Sequence, residues 1–463
     1  DVTAGSGLDV ASQGMGVACG DVDNDGLVDV FLANVGENRL FRNLGGGKFR
    51  DVTAEAGLAG APDAWSSSAA FVDVDRDGDL DLFVANYVRW SREIDFKVGY
   101  SLDGKSRAYG PPMNFQGAFP YLYTNDGKGR FTDVSASAGV QIRNPSTSVP
   151  TAKSLGVAPA DLDGDGWIDL VVANDTVQNM VFTNRHDGTF GEAGALLGIA
   201  FDTIGNARGA MGIDIARHRN DADIAVAIGN FANEMTALYV SQGKAGLFAD
   251  EAIAEGIGPA SRLPLKFGVF FFDYDLDGWL DLLTANGHLE EEITKIQASQ
   301  RYLQPAQLFW NAGGTPKGGG FVEIKADQAG PDLFKPIVGR GSAHADIDGD
   351  GDLDVLLIQA HGPPVLLRND QATGHHWARF RLQGSKSNRD AIGAWVTLTA
   401  NGKSQSRQVM PTRSYLSQSE LAVTFGLGAH DKIDAVEIRW PNGANQRLEK
   451  VGVDRVHSLV EPN

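Results

Sequence analysis

The chain has 463 residues, of which 42% are hydrophobic and 21% are charged, so it is long enough to bury a large core. Its formal net charge is −19, and an acidic chain without a basic stripe argues against nucleic acid as a partner. The single cysteine, Cys19, excludes an internal disulfide, and no apolar run of about 18 residues predicts a transmembrane helix.

The pattern D-x-D-x-D-G-x-x-D occurs five times along the chain, always with glycine at position six. Four carboxylates in nine residues repel one another, and Ca²⁺ supplies a counter-charge because it takes roughly six to eight oxygen ligands in tolerant geometry. The EF-hand loop begins in the same way but leads into a helix, whereas an apolar β-type run follows each copy here. An Asp–Gly turn without metal is the alternative for any one copy, but five copies favour calcium.

The candidate ligands are the carboxylates at positions one, three, five and nine, together with the residue at position seven, whose backbone carbonyl adds a ligand. They are Asp21, Asp23, Asp25, Leu27 and Asp29; Asp73, Asp75, Asp77, Asp79 and Asp81; Asp161, Asp163, Asp165, Trp167 and Asp169; Asp273, Asp275, Asp277, Trp279 and Asp281; and Asp346, Asp348, Asp350, Asp352 and Asp354.

The loops sit in repeats that predict an all-β fold, a β-propeller. Unit one shows the plan, with predicted strands over 14–20, 30–34, 39–43 and 49–58. Four short strands per unit are typical of propeller blades. We count six units, and a seven-bladed ring with one degenerate blade is the alternative. Residues 1–8 match 51–58, so we expect them to close a propeller over 1–374 by completing the last blade.

The fourth unit, 209–230, departs from the pattern. Arg217 aligns with the first aspartate, and the loop is shorter. We therefore expect no Ca²⁺ in this blade, and an ion pair of Arg217 with Asp221 or Asp223 in its place.

Two insertions, 88–120 and 287–306, separate the second and third strands of units two and five. Because blade strands alternate in direction, we expect the insertions on the face opposite the calcium loops. The second insertion predicts a short helix, with Ile293, Ile296 and Leu303 available to pack onto the blades.

A set of cations precedes the first strands of successive units, which places it at the channel mouth on the insertion face. With aromatic residues of the first insertion, it suggests an anion- or glycan-binding site. The alternative is that these cations pair with carboxylates and the aromatics pack the insertion down. The candidate ligand-binding residues are Lys153, Arg208, Lys266, Arg340, Trp90, Arg107 and Tyr109.

The repeats stop near residue 375, and residues 375–463 read as alternating strands with glycine turns, which predicts a small β-sandwich. Its polar stretch with Arg413, Tyr415, Ser417 and Gln418 is either a partner surface or a solvated loop with an edge strand.

The Asp loops, with the Leu-Phe-Arg-Asn and Phe-x-Asp-Val strands, resemble the FG-GAP/VCBS repeats of integrin-α-like propellers. Segments 387–396, 410–420 and 425–443 resemble the ASPIC/UnbV domain. This arrangement is similar to that of the bacterial relatives of cartilage acidic protein. The resemblance implies calcium in the five intact loops and an extracellular role in adhesion or protein interaction. Integrin-type propellers usually have seven blades, one more than the units counted here.

We therefore expect a secreted, periplasmic or cell-surface protein whose signal peptide has been removed. Its partner would be a protein or a cell-surface glycan, or it would be a subunit of a larger extracellular complex. The alternative function is a glycan-active enzyme such as a polysaccharide lyase, with the insertion-face cations neutralising a uronate carboxylate. The sequence assigns no catalytic residue, and it contains neither G-x-S-x-G nor H-E-x-x-H.

Overall fold

The computed structural model describes residues 2–243, 246–313 and 320–462. Six sheets of one plan follow one another over residues 14–367 of this part of the chain, each an antiparallel meander in sequence order. Their strands are β1 (Gly14–Gly20), β2 (Asp29–Asn34), β3 (Arg39–Asn43) and β4 (Phe49–Asp51); β5 (Ser66–Val72), β6 (Asp81–Asn86), β7 (Tyr121–Asn125) and β8 (Phe131–Asp133); β9 (Ser154–Ala160), β10 (Asp169–Asn174), β11 (Met180–Asn184) and β12 (Phe190–Glu192); β13 (Ala210–Ala216), β14 (Ala225–Asn230), β15 (Ala237–Ser241) and β16 (Phe248–Asp250); β17 (Lys266–Phe272), β18 (Asp281–Asn286), β19 (Gln307–Asn311) and β20 (Phe321–Glu323); and β21 (Gly339–Ala345), β22 (Asp354–Gln359) and β23 (Val365–Leu367).

The sheets pack face to face, as the blades of a β-propeller do. Each of five hydrophobic clusters joins two consecutive sheets, so the core is divided among the gaps between neighbours. The first strands of successive sheets also pack against one another from β1 to β21. This close approach requires small residues: a Cβ at Gly212 of β13 would lie 2.2 Å from the carbonyl oxygen of Phe267 in β17.

The fourth strands are shorter than the predicted run over 49–58. In the first sheet, β4 ends at Asp51, and helix α1 (Thr53–Ala56) follows. The Asp51 carboxylate accepts hydrogen bonds from the backbone N–H and the hydroxyl of Thr53, so a local side-chain turn ends the strand. The other helices are also short: α2 (Arg92–Val98), α3 (Gly194–Leu197), α4 (Gly258–Ser261), α5 (Ile293–Ile296), α6 (Ala326–Ala329) and the 3₁₀ turns Pro112–Asn114 and Asp332–Phe334. None of the helices in the described residues is long and apolar enough to span a membrane.

The chain start lies beside the first sheet. The Phe49 N–H donates to the Ser6 carbonyl at 2.7 Å, and the Phe190 N–H in the third sheet donates to Ala138 in the same way. Residues 2–8 thus contact β4 as the segment after β8 contacts β12. No strand is assigned to residues 2–8, and Asp1 lies outside the described residues, so closure of the last blade by this segment stays a prediction.

The C-terminal region is a sandwich of a three-stranded and a four-stranded sheet around one apolar cluster. The first sheet has the order β29-β24-β32, and the second has the order β26-β25-β30-β31. The strands are β24 (His376–Gln383), β25 (Trp395–Ala400), β26 (Lys403–Gln408), β27 (Thr412–Arg413), β28 (Ser417–Gln418), β29 (Val423–Gly428), β30 (Ala435–Arg439), β31 (Asn445–Leu448) and β32 (Arg455–Val460).

Strands β27 and β28 leave the sandwich as a hairpin that enters the propeller channel. The hairpin packs on β1, β5, β9, β13 and β21, which are first strands of five sheets. Ser414 exchanges two backbone hydrogen bonds with Ile213, and the Tyr415 ring lies 4.8 Å from the Phe267 ring. Tyr415 is buried, so the predictions of an external partner surface and of a solvated loop are both wrong: the partner of this stretch is the channel wall of the same chain.

His218 follows the fourth sheet's first strand and is buried between two neighbouring aromatic rings. Its imidazole stacks 5.9 Å from Phe271 and 5.5 Å from Phe321, and neither ring nitrogen has a hydrogen-bond partner among the described residues. Burial, with a smaller contribution from Arg219, lowers its pKa from 6.5 to about 3. The folded state therefore holds His218 neutral at pH values where the unfolded chain protonates it.

We predict that His218→Phe reduces the loss of stability in mild acid. Below pH 6.5 the unfolded state binds a proton that the folded state does not, so the free energy of unfolding falls as the pH falls. At pH 5 this site accounts for about 2 kcal/mol relative to neutral pH. Urea unfolding of the wild type and of H218F at pH 7.5 and 5 measures the difference. His430→Gln, at an exposed histidine, is the control, and equal acid sensitivity of H218F and the wild type would contradict the prediction.

Candidate metal centres

All five predicted loops gather carboxylate oxygens into compact clusters. In each cluster, three carboxylates each place an oxygen within 4.8 Å of the others. Four loops bring together positions one, three and nine, and the third loop brings together positions one, three and five. The clusters are Asp21, Asp23 and Asp29; Asp73, Asp75 and Asp81; Asp161, Asp163 and Asp165; Asp273, Asp275 and Asp281; and Asp346, Asp348 and Asp354.

The loop backbone is the same in every copy. The glycine at position six has φ between 93° and 104° in all five loops, a conformation that a Cβ disfavours. The position-nine carboxylate accepts two backbone hydrogen bonds, one from position two and one from an asparagine that ends the third strand. In the second loop these are Val74 to Asp81 at 3.0 Å and Asn125 to Asp81 at 2.9 Å. The position-nine aspartate therefore joins the loop to its own sheet.

The third-strand asparagine also joins neighbouring sheets. The Asn125 side chain donates to the Val22 carbonyl of the preceding loop at 2.8 Å, and Asn184 donates to Val74 at the same distance. Asn311 donates to the His218 carbonyl of the fourth sheet, at 3.0 Å. With Asn369, which donates to the Tyr274 carbonyl at 2.7 Å, the same amide contact joins four pairs of neighbouring sheets.

The clusters have the chemistry of a cation site. Burial is the main cause that raises the pKa of Asp29, Asp73 and Asp169 to about 7, and neighbouring loop aspartates add to the shift. Buried oxygens of Asp73 and Asp273 have no hydrogen-bond donor among the described residues. Acceptor atoms without donors, next to carboxylates that repel one another, fit a bound hard cation.

The residues at positions five and seven form a second turn within each loop. In every loop the position-five carboxylate accepts the N–H of position seven, for example Asp25 from Leu27 and Asp165 from Trp167, both at 2.8 Å. The Asp79 side chain accepts from Asn24 at 2.9 Å. The same turn holds the other position-seven residues, Trp279 against Asp277 and Asp352 against Asp350.

The fourth sheet replaces this arrangement with an aromatic contact. The Arg217 guanidinium lies 4.5 Å from the centre of the Trp395 ring in the C-terminal domain. Asp223 accepts hydrogen bonds from Ser241 and Gly243. Among the described side chains Arg217 forms no salt bridge, so the predicted ion pair with Asp221 or Asp223 is wrong.

The C-terminal domain covers the loop face, and sequence reasoning missed this contact. Arginines of this domain reach the position-one aspartates of three loops: Arg379 pairs with Asp346, Arg439 with Asp161, and Arg389 lies 3.6 Å from Asp21. At the Asp loop of the fifth sheet, the Gly426 N–H donates to Asp273 at 3.2 Å. A surplus of arginines in tail strands, facing an acidic propeller, is the only signal in the sequence that could have indicated this contact.

The four cations predicted to ring the channel mouth all have partners within the chain. Lys266 is fully buried and donates to the carbonyls of Glu234, Ser261 and Pro264. Lys153 donates to the Pro112 carbonyl at 2.6 Å. Arg208 pairs with Asp202 at 2.6 Å. Arg340 donates to backbone carbonyls and lies over the Phe267 ring.

The first insertion divides its predicted binding residues between packed and exposed positions. Trp90 packs edge-on against Trp65, 5.6 Å away. Arg107 pairs with Asp95 and lies 4.3 Å over the Phe96 ring. Tyr109 is 65% exposed, and its N–H donates to Glu290 of the second insertion at 2.8 Å. In that insertion Ile293 is buried as predicted, whereas Ile296 and Leu303 are about half exposed.

Comparison with known proteins agrees with this architecture. Residues 21–84, 113–172 and 161–228 match the FG-GAP-like repeat, and residues 384–463 match the ASPIC and UnbV domain. The chain is thus a β-propeller of FG-GAP-like repeats that carries a C-terminal ASPIC and UnbV domain.

Among characterised proteins, it is similar to cartilage acidic protein 1. It is 25% identical to the Homo sapiens protein over 454 residues, which cover 94% of this chain and 61% of that protein. It is also 25% identical to the Mus musculus protein over 480 residues, covering 98% of this chain and 65% of that one. The chain therefore spans less than two thirds of the length of these relatives. A solved Agrocybe aegerita lectin that recognises non-reducing terminal N-acetylglucosamine aligns with 91% of this chain and 88% of its own, at 14% identity and a TM-score of 0.44.

We predict that Arg379→Met destabilises the protein by about 3–5 kcal/mol in the presence of a chelator, because it leaves Asp346 and Glu420 as buried carboxylates without their counter-charge. Arg447→Met in the same domain is the control, since its pair with Glu437 is more than half exposed and contributes at most about 1 kcal/mol. Chemical denaturation of both variants tests this. A loss in R379M no larger than that in R447M would contradict a structural role for the buried pair.

Proposed function

We propose that the protein is a secreted interaction module that binds a protein or a cell-surface glycan through its insertion face. The observation that carries the proposal is the coverage of the propeller. The C-terminal domain covers the loop face. Its hairpin lies in the channel and packs against the first strands of five sheets. The insertions connect the opposite ends of the strands and carry exposed apolar side chains.

The exposed side chains form one surface on two insertions that touch each other. We call it the insertion surface, and it comprises residues 92–113 and 290–303. Phe96 is 57% exposed and Met113 is 74% exposed, and the Tyr109 backbone bonds to Glu290 across the insertions. Arg92 and Arg107 both lie over the Phe96 ring. Aromatic and arginine side chains together are typical of binding hot spots, and both also suit glycans.

We also propose that the five Asp clusters hold Ca²⁺ and that the fourth sheet holds none. The donors are all oxygens, the loops vary in which carboxylates approach, and Ca²⁺ tolerates irregular coordination better than Mg²⁺ does. The position-seven carbonyls of Leu27, Asp79, Trp167, Trp279 and Asp352 complete the proposed ligand sets. The ions would hold the loops together, while recognition takes place on the insertion surface.

Removal of calcium is expected to lower the melting temperature by several degrees, because each ion that binds only the folded state adds about 2.7 kcal/mol at a hundredfold excess over its dissociation constant. Differential scanning fluorimetry with calcium and with EGTA measures the shift. Asp163→Asn should reduce the bound calcium by one ion per chain in isothermal titration. Asp187→Asn, at an exposed turn aspartate outside the loops, should leave the stoichiometry unchanged. An unchanged melting temperature in EGTA would mean that the clusters are empty.

The binding surface is tested by capture from the extracellular fraction of the source cells on the immobilised, calcium-loaded chain. A partner retained by the wild type should be retained at least about tenfold less by the triple variant F96S, Y109S and M113S, because the variant removes the exposed anchors. Quantitative mass spectrometry and a second capture after deglycosylation separate a protein epitope from a glycan.

The matched control is the pair L366S and V460S, which removes exposed apolar side chains of similar exposure outside the insertions. Equal retention of the partner by the triple variant and the wild type would contradict the insertion surface as the binding site. A loss of retention in the control variant equal to that in the triple variant would contradict it as well. The alternative of a polysaccharide lyase gains no support from the channel mouth, where the Lys266 ammonium donates to three carbonyls and Arg208 pairs with Asp202.

A further inference from the structure

A small cavity lies between the propeller and the C-terminal domain. Its volume is about 60 Å³, several times the roughly 10–15 Å³ that one water needs. The ends of β13 and β17 and the sixth sheet's first strand form one wall, and strands β25, β26 and β29 form the other. It lies beside the Asp loop of the fifth sheet, whose Asp273 is part of the lining.

The cavity lining is rich in hydrogen-bond donors that have no acceptor. Five side chains in the lining each leave one N–H without a partner among the described residues, and two of them, Trp395 and Arg407, are more than nine-tenths buried. Only one obligate acceptor of the lining, Asp273 Oδ1, is also without a partner; the His344 and Thr424 atoms can act in either role. The unpaired donors are Arg217 Nε, Trp395 Nε1, Arg407 Nε, Gln408 Nε2 and Arg413 Nε.

Two arginines of the lining have no salt bridge among the described side chains. Arg413 pairs with Asp214 at 3.2 Å, and Glu420 pairs with Arg379. The hydrogen bonds of Arg407 go to the neutral acceptors Asn220, Ser406, Gly278 and Gln405, and Arg217 lies over the Trp395 ring. Of the aspartates that attract these two guanidinium groups, Asp273 and Asp161 belong to the metal clusters.

Water alone satisfies this lining poorly. A water molecule accepts two hydrogen bonds but must also donate two, and the cavity offers few acceptors for those protons. Buried donors without acceptors cost free energy, and more so when they are charged. An anion accepts from several donors at once and donates to none, and hydrogen bonds from guanidinium groups to an anion are the strong ones.

We propose that this cavity is a binding site for a small inorganic anion, which the Arg217 and Arg407 side chains hold between the two domains. Chloride with accompanying water and a tetrahedral oxyanion such as sulfate share this chemistry. The anion would contact both domains at once, since Arg217 belongs to the propeller and Arg407 to β26. The site is separate from the insertion surface and from the calcium ligands other than Asp273.

The test uses the full, calcium-loaded chain and measures the melting temperature as a function of anion concentration. Sodium chloride and sodium sulfate are each titrated against sodium gluconate, a bulkier anion, at constant ionic strength. We expect a saturable rise with chloride or with sulfate, and the anion that saturates at the lower concentration identifies the guest. Sulfate stabilises proteins in general without saturation, so only the saturable part counts.

Arg217→Gln should raise the concentration of anion at half saturation at least about tenfold, because it removes a charged donor from the site. Gln408→Leu, which removes a neutral donor, serves as a second variant if R217Q does not fold. Arg389→Gln is the control: it removes an arginine of the same domain interface that lies beside Asp21, outside the cavity.

Crystals grown with sodium bromide give a direct readout by anomalous scattering. A bromide peak within the cavity supports the halide form of the proposal. The absence of a saturable response to both anions in the wild type would overturn the proposal, and so would an identical response in wild type, R217Q and Q408L.

Discussion

The structure depends on how the charge of the Asp loops is compensated. Five clusters of carboxylates lie on one face of the propeller. In four of the loops burial, with a smaller contribution from neighbouring aspartates, raises the pKa of the position-nine carboxylate. Such groups remain ionised only next to positive charge. The arginines of the C-terminal domain are one source, since Arg379, Arg389 and Arg439 each reach a position-one aspartate, and the proposed Ca²⁺ ions would be the other. Domain docking therefore uses carboxylates that the proposed metal binding would also use.

The fourth sheet shows what happens when that charge is absent. Its loop has Arg217 in place of the first aspartate, and the Trp395 ring of the C-terminal domain lies against the Arg217 guanidinium. The third-strand asparagine is also replaced, by Ser241. The neighbouring contact survives because the His218 carbonyl still accepts from Asn311. The domain thus places arginines beside the position-one aspartates of three loops and an aromatic ring against Arg217.

The features that could be predicted from the sequence are those set by short-range repetition. The first strand of unit one lies over 14–20 as predicted, because the Asp loop directly after it defines its end. The five clusters were predictable for the same reason, since all the ligands of one loop lie within nine residues. The length of the fourth strands could not be predicted, because Asp51 ends β4 through a side-chain turn that an apolar pattern does not reveal.

Contacts between distant parts of the chain could not be predicted from the sequence pattern. Arg439 and Asp161 are 278 residues apart, and neither lies in a periodic stretch that indicates the other. The polar stretch 412–418 looked like surface because it is polar, yet its side chains bond to backbone groups of the channel wall. The Ser414 hydroxyl accepts from the Val269 N–H, and the Gln418 amide donates to the Ala69 carbonyl. The cations before the first strands were interpreted as a ligand site because the sequence does not show which groups of the chain surround them. In the fold, three backbone carbonyls accept hydrogen bonds from Lys266.

These long-range contacts also determine where recognition can take place. A propeller has two faces and a channel, and here the C-terminal domain contacts the loop face while its hairpin packs on the channel strands. Two of the connections between second and third strands are extended into insertions that meet at Tyr109 and Glu290. Loops held by a rigid scaffold can vary without cost to the core. The domain that compensates the acidic face thus leaves the insertions as the surface on which this propeller can acquire a partner.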